Sequence, residues 1–423
     1  MTKRDAAGPS AGELPTATEL IADADLDAAR RAVQGVAVRT PTLACGELAS
    51  AAGTAVALKA ECLQGTGSFK LRGALSKVAA LGERAAAGLV TASAGNHARA
   101  VAQAARLRGV GCEVIMPRDA SVSKVAAVES LGANVELHGA SVEEALSRAV
   151  ERSRETGAPL VHPFDDLDVI AGQGTLALEL LEEVPDLARV VVPVGGGGLA
   201  SGIGIALRRA GVEVELVGVQ ARACAPFAEA LTSAGELGGP LAAGSAATIA
   251  DGIAVRRPGA LTSTLLGELL DGIETVSEAE IAGAMVFLAE AAKLVVEGAG
   301  AVAVAALRAG RLAPIAGTSV AIVSGGNVDS GLMAQLLLRR ETEEGRRVRM
   351  FTRVSDRPGG LAELLELVAG ARANLLNVGH LREGVALEVR ETGIELTLET
   401  RGPRHTEEVL AALRAAGYHV SLE

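Results

Sequence analysis

Aromatic residues are almost missing from this chain: tryptophan is absent, tyrosine occurs once and phenylalanine five times in 423 residues. With 49% hydrophobic content, the core must be packed from Ala, Val, Leu and Ile, with 51 glycines for tight turns. That composition suits an α/β protein of buried aliphatic strands and Ala-rich helices. Cysteine is scarce too. Cys45, Cys62, Cys112 and Cys224 stand far apart with no C-x-x-C pair, which argues against a disulfide framework and a zinc site and fits a reducing cytoplasm. The N-terminal region has no long apolar run, so no signal peptide or membrane anchor is expected there. No basic excess exists either: the net charge of −11 argues against a nucleic-acid partner.

What is present is an alternation. Short apolar runs (Val56–Lys59, Leu89–Thr91, Glu113–Pro117, Arg189–Val194, Leu216–Gln220, Ser319–Val323) are separated by helical patterns such as Ala98–Arg108, Val122–Leu131 and Ser141–Thr156. Repeated βα units predict one mostly parallel sheet covered on both faces, with ligands beyond the carboxyl ends of its strands. Residues 1–18 read as a disordered tail, 19–338 as the catalytic domain, 339–347 as a charged linker or helix end, and 348–423 as a second domain. That last stretch reads strand, helix, two or three strand segments, helix, strand, a ferredoxin-like βαββαβ order. Its segments are Val348–Val354, Gly359–Ala369, Ala373–Leu381, Val385–Glu399, Thr406–Ala416 and Tyr418–Leu422.

Four strand ends carry unusual residues. After the first comes Gly65-Thr66-Gly67-Ser68-Phe69-Lys70, with a helix beginning near Ser68 as its cap. Lys70 then lies in the first turn, where the helix dipole disfavours an ammonium and eases formation of the neutral amine that a Schiff base needs. An ordinary surface lysine at a helix start fits these residues equally well. The second end, Ser93-Ala94-Gly95-Asn96-His97, offers helix N-terminal amides to a carboxylate or a phenolic oxygen, or is a plain Ser/Asn cap. The third, Gly195-Gly196-Gly197-Gly198, opens a helix with uncovered amides that suit a phosphate. It matches neither the P-loop nor the dinucleotide spacing. The fourth closes in Ser324-Gly325-Gly326-Asn327.

Together with Thr40-Pro41, His162-Pro163-Phe164-Asp165-Asp166 and Gly172-Gln173-Gly174-Thr175, these blocks make residues 20–335 resemble the threonine dehydratase and serine racemase family of pyridoxal-phosphate enzymes. The resemblance implies a tryptophan-synthase-β-like catalytic domain (fold type II) with pyridoxal 5′-phosphate as cofactor. Lys70 would carry it as a Schiff base and remove the substrate Cα proton, and Phe69 would pack on its ring. Asn96 would bond the phenolic oxygen, Ser324 would face the pyridine nitrogen, and Gly195, Gly196, Gly197, Gly198 and Leu199 would take the phosphate. Ser93, Ala94, Gly95, Asn96 and His97 would hold the substrate carboxylate. The implied reaction takes L-threonine to 2-oxobutanoate and ammonia, with L-serine to pyruvate as a side activity.

Departures from the family refine this. Racemases place a serine where Ala94 stands, so dehydration without racemisation is expected. Metal-dependent members carry a glutamate in place of Gln220, so no metal site is expected. Arg99 and Ala100 replace a common Gln and Gly.

The opening Ser355-Asp356-Arg357-Pro358-Gly359-Gly360-Leu361 resembles that of an ACT domain, an amino-acid-sensing module. Asp356, Gly359, Leu361, Asn374 and Asn377 would then bind an effector such as isoleucine or valine, and homodimer or homotetramer assembly is expected; an assembly role alone is the competing reading. Two alternatives stand beside the dehydratase reading. One is a sister β-eliminase acting on serine or hydroxyaspartate; the other is a non-catalytic amino-acid-sensing protein.

Overall fold

The computed structural model describes residues 15–233, 248–382 and 387–422. Residues 1–14 of the expected tail, and 385 and 386 at the start of one expected strand segment, lie outside them. Ordered structure begins earlier than expected, because Thr16 and Glu19 form a reciprocal capping box at the helix Ala17–Asp23.

The chain divides into two compact units, Met1–Val328 and Asp329–Glu423. In the first, nine strands follow in order: β1 Thr42–Ala44, β2 Ala55–Lys59, β3 Leu89–Ala92, β4 Cys112–Met116, β5 Asn134–Leu137, β6 Leu187–Pro193, β7 Glu215–Ala221, β8 Gly272–Val276 and β9 Thr318–Ile322. They form two sheets, not the single sheet expected. The larger has the order β1-β2-β9-β6-β7-β8, parallel throughout except for β1, and the smaller is the parallel set β3-β4-β5. Runs of aliphatic residues mark buried parallel strands but carry no label for which sheet they join. Four of the five residues in β2 and in β9 are buried, as expected of central strands covered on both faces.

Strand β2 pairs with β9 from Ala55–Thr318 to Lys59–Ile322. The pairing continues beyond the strand ends: Cys62 N–H donates to Val323 O at 3.0 Å, Phe69 N–H to Ser324 O at 3.1 Å, and Gly326 N–H to Gly67 O at 2.9 Å. The loop before Lys70 is thereby laid against the end of β9.

The second unit holds β10 Arg347–Ser355, β11 Asn374–Leu381, β12 Glu391–Glu399 and β13 Ser421–Leu422, an antiparallel sheet in the order β11-β12-β10-β13. The helices Gly360–Gly370 and Pro403–Ala415 complete the βαββαβ order. Val348, Met350, Thr352 and Val354 are buried at every second position of β10, so one face of the sheet supplies the core with Leu364, Val368, Ile394, Leu396 and Leu413. The charged segment 339–347 ends the helix Ser330–Glu343 and turns into β10.

Candidate active site

Lys70 is the first residue of the helix Lys70–Leu81, with Phe69 in the cap position. Ser68 does not cap that helix; its hydroxyl is buried without a hydrogen-bond partner, as is that of Thr66. The helix start is held from beneath by charge. Arg72 is fully buried and binds Glu61 through Nη2 at 2.8 Å and Nε at 2.9 Å, and Glu179 through Nη1 at 2.7 Å. Lys59, also buried, reaches Glu179 at 2.8 Å and Glu183 at 3.0 Å. The Lys70 amine donates to Pro163 O at 2.7 Å and lies 5.2 Å from the Phe69 ring centroid. Burial lowers its pKa to about 8 against the opposing pull of Glu297.

The segment His162–Asp166 links the surrounding pieces. Pro163 accepts from Lys70, and the Phe164 ring lies where a Cβ on Gly196 would come within 2.3 Å of it. Asp165 accepts from the amides of Ala260, Leu261 and Thr262 at a helix start, and Asp166 caps the helix Leu167–Glu183. Glycine is required at 196 by this close approach. A Cβ at Gly195 would meet Ile253 at 2.9 Å and one at Gly198 would meet Phe164 at 3.0 Å. Gly198 opens the helix Gly198–Ala210, where the buried Ser201 hydroxyl has no partner. Uncovered helix-start amides over an unpaired buried hydroxyl suit an anion of phosphate type. A desolvated amine, a side-chain-free cradle and orphaned hydroxyls are what a lysine-bound phosphorylated cofactor requires, so the residues present fit pyridoxal phosphate.

The 93–97 segment opens the helix Asn96–Arg108 after β3. Ser93 Oγ accepts from Gly95 N–H at 3.1 Å, and the Asn96 amide is engaged by Asn327 and Glu297. His97 turns inward, with Nε2 3.0 Å from Val161 O. Burial and then Lys70 push its pKa down to about 3, so its imidazole is neutral, and Nδ1 is left buried without a partner. Ser324 is buried at the end of β9, its carbonyl holding Phe69.

Glu297 escaped the sequence reading. It stands before the helix Gly298–Arg308 and is 7% exposed, and burial raises its carboxyl pKa to about 7. The only signal in the sequence was an acid inside an otherwise apolar, Gly/Ala-rich stretch.

The residues expected to bind an effector are not gathered in one place in the second unit. Asp356 pairs with Arg382 at 2.9 Å through both oxygens, and Gly359 and Leu361 begin the following helix. Asn374 bonds Glu399 at the far end of β11, seven residues from Leu381, or about 23 Å along the strand. Asn377 is exposed at a register shift between them.

Residues 33–325 match the family model described as pyridoxal-phosphate dependent enzyme. The L-threonine ammonia-lyase of Thermotoga maritima is 43% identical over 400 residues, 94% of this chain and 98% of that protein. Among solved structures, a T.th. threonine deaminase superposes with a TM-score of 0.66 at 40% identity, covering 72% of this chain and 97% of that one. Maize serine racemase gives a TM-score of 0.68 at 34% identity, covering 76% and 98%. With the matched region containing Lys70, the glycine cradle and the end of β9, the chain belongs to the pyridoxal-phosphate dependent enzymes, in the family of the L-threonine ammonia-lyases.

Proposed function

We propose that this enzyme converts L-threonine to 2-oxobutanoate and ammonia, and L-serine more slowly to pyruvate. The observation that carries the reading is the Lys70 amine, held near pKa 8 beside an aromatic ring and a glycine cradle. Bound pyridoxal phosphate supplies an electron sink conjugated with the substrate nitrogen. Lys70 would hold it, and its Nζ is the base that would take the Cα proton. The amides of Gly195 to Leu199 would bind its phosphate, Phe69 would pack on its ring, Asn96 would donate to its phenolic oxygen and Ser324 would meet its pyridine nitrogen. Amides at the start of the helix Asn96–Arg108, with Ser93 to His97, receive the substrate carboxylate. The Cα proton and the β-hydroxyl leave as water, and one water returns when the imine hydrolyses, so threonine yields the keto acid and ammonia alone.

Ala94 offers no proton on the opposite side, so elimination proceeds without racemisation. Keto-acid formation from threonine and serine, with D-serine measured in the same mixture, tests this. Pyruvate without D-serine is expected; D-serine at a comparable rate overturns it.

The C-terminal unit has the strand order of an ACT module, and it supports regulation by isoleucine or valine in a dimer or tetramer. Since Asp356 and Asn374 lie at opposite ends of the sheet, an effector site using both takes them from two copies. A coupling of about 1–3 kcal/mol between effector and substrate is expected. Unchanged substrate curves in both amino acids would remove that role. The four free thiols suit a reducing, cytoplasmic setting, and among the described residues no helix is long and apolar enough to cross a membrane.

A further inference from the structure

Four side chains form a directed hydrogen-bonded line beside Lys70: Arg99, Asn327, Asn96 and Glu297. Arg99 donates to Asn327 Oδ1, and Asn327 Nδ2 donates both to Thr66 O at 2.9 Å and to Asn96 Oδ1 at 2.6 Å. Asn96 Nδ2 donates to Glu297 Oε1 at 2.5 Å. The ends fix the direction. A guanidinium only donates and a carbonyl only accepts, so Asn327 must turn its oxygen to Arg99 and its nitrogen to Thr66. The remaining Asn327 N–H then requires the oxygen of Asn96, which sends the Asn96 nitrogen to Glu297. An amide nitrogen carries two N–H groups, and one of those on Asn96 is left over.

Glu297 is not explained as a helix cap. It occupies the position before Gly298, yet its side chain makes no capping bond. Room is made for its carboxylate by Gly325, where a Cβ would fall 2.2 Å from Oε1. The second residue of Ser324-Gly325-Gly326 is thus a clearance for this acid.

We propose that Glu297 and Arg99 are positioning residues that lock the Asn96 amide in one orientation and commit its free N–H to the ligand held by Lys70. This rests on the reading of Lys70 and Asn96 as cofactor contacts. Without Glu297 the Asn96 nitrogen loses its acceptor, and without Arg99 the Thr66 carbonyl alone is left to hold Asn327 in this orientation. Arg99 stands where a glutamine is common in the family; a glutamine can donate or accept and carries no charge, so the arginine adds a charged, donor-only constraint to the one Thr66 O supplies.

The line also carries a titration. Glu297 is faced by Lys70 from its helix, by Asn96 and Arg99 from theirs, by the ion pair Lys124–Asp251 and by the Cys62 thiol. Burial and Asp251 raise its pKa to about 7, while Asn96, Lys124 and Arg99 hold it back.

The test is a pH titration of the visible absorbance of bound pyridoxal phosphate in the holoenzyme, with cofactor affinity measured alongside. Wild type is expected to show a midpoint near 7 that disappears in Glu297→Gln. In Arg99→Leu the midpoint should move up and cofactor affinity should fall about tenfold, the worth of one well-placed hydrogen bond; Arg99→Lys should restore most of both. The proposal is overturned if Glu297→Gln titrates like wild type, or if Arg99→Leu leaves midpoint and affinity unchanged. Arg99 is only partly buried, so its variants decide the matter even if Glu297→Gln fails to fold. Lys70→Ala should abolish the band altogether, whereas the Glu297 and Arg99 variants should keep it, so the two readings fail separately.

Discussion

The two units handle charge in opposite ways. In the first, Lys59, Glu61 and Arg72 have no exposed surface, and each is answered by a partner within 3 Å. Burial works against the Glu61 charge, but Arg72, with Thr40 and Lys59, outweighs it and keeps the carboxyl below its ordinary range. In the second unit the pairs are peripheral: Asp356–Arg382 and Arg357–Glu363 lie among half-exposed side chains. The difference teaches where precision is needed. A buried ion network is a costly way to gain stability, but it admits few alternative geometries. Here it fixes the first turn that carries Lys70. The second unit rests on an alternating apolar face.

The largest effect should come from breaking the buried set. Arg72→Leu strands Glu61 and part of Glu179, and the first unit should lose about 3–5 kcal/mol in urea unfolding. A loss under 1 kcal/mol would put the two units on the same footing. Next, Gly196→Ala drives a methyl into the Phe164 ring. Overpacking of this kind costs about 1–3 kcal/mol, which should appear as roughly ten- to hundredfold weaker pyridoxal-phosphate binding by equilibrium dialysis. Equal affinity would show that the cradle yields freely. The third effect follows pH. Reloading of apoenzyme needs the neutral Lys70 amine, whose pKa is lowered to about 8. Stopped-flow reloading should therefore quicken about tenfold per pH unit below that value and level off above it; a rise continuing to pH 10 would mean an ordinary, solvated lysine. The smallest effect belongs to the second unit. Arg382→Ala should cost at most about 1 kcal/mol, because exposed pairs contribute little, and basal keto-acid formation should be unchanged.

Much of this organisation is legible in the sequence. The strands β2, β4, β6, β7 and β9 begin or end within about two residues of the aliphatic runs that announced them, because the middles of parallel strands buried on both faces are filled by aliphatic side chains. The ferredoxin-like order of the second unit is readable from its alternation. Other features left no trace in residue type. Pro163 meets Lys70 through a carbonyl, which every residue possesses. Ser68 looks like a cap and is instead an unpaired hydroxyl, since the chain enters the helix one residue later than the pattern suggests. Glu297 lies more than 200 residues from Asn96, and only the folded chain reveals that they meet. The division into two sheets is equally invisible, as it depends on which strands pair and not on what they contain.

The pairing of β2 with β9 has a consequence for synthesis. A ribosome completes Lys70 and its helix early, but the strand that supports them, the carbonyl that holds Phe69 and the amide that orients Asn96 all belong to residues 318–327. Until those emerge, β2 can pair only with β1 and shows an open edge to other nascent chains. Cofactor capture therefore waits for the last strand of the first unit, and a chain broken off before its ninth strand carries the lysine without being able to use it.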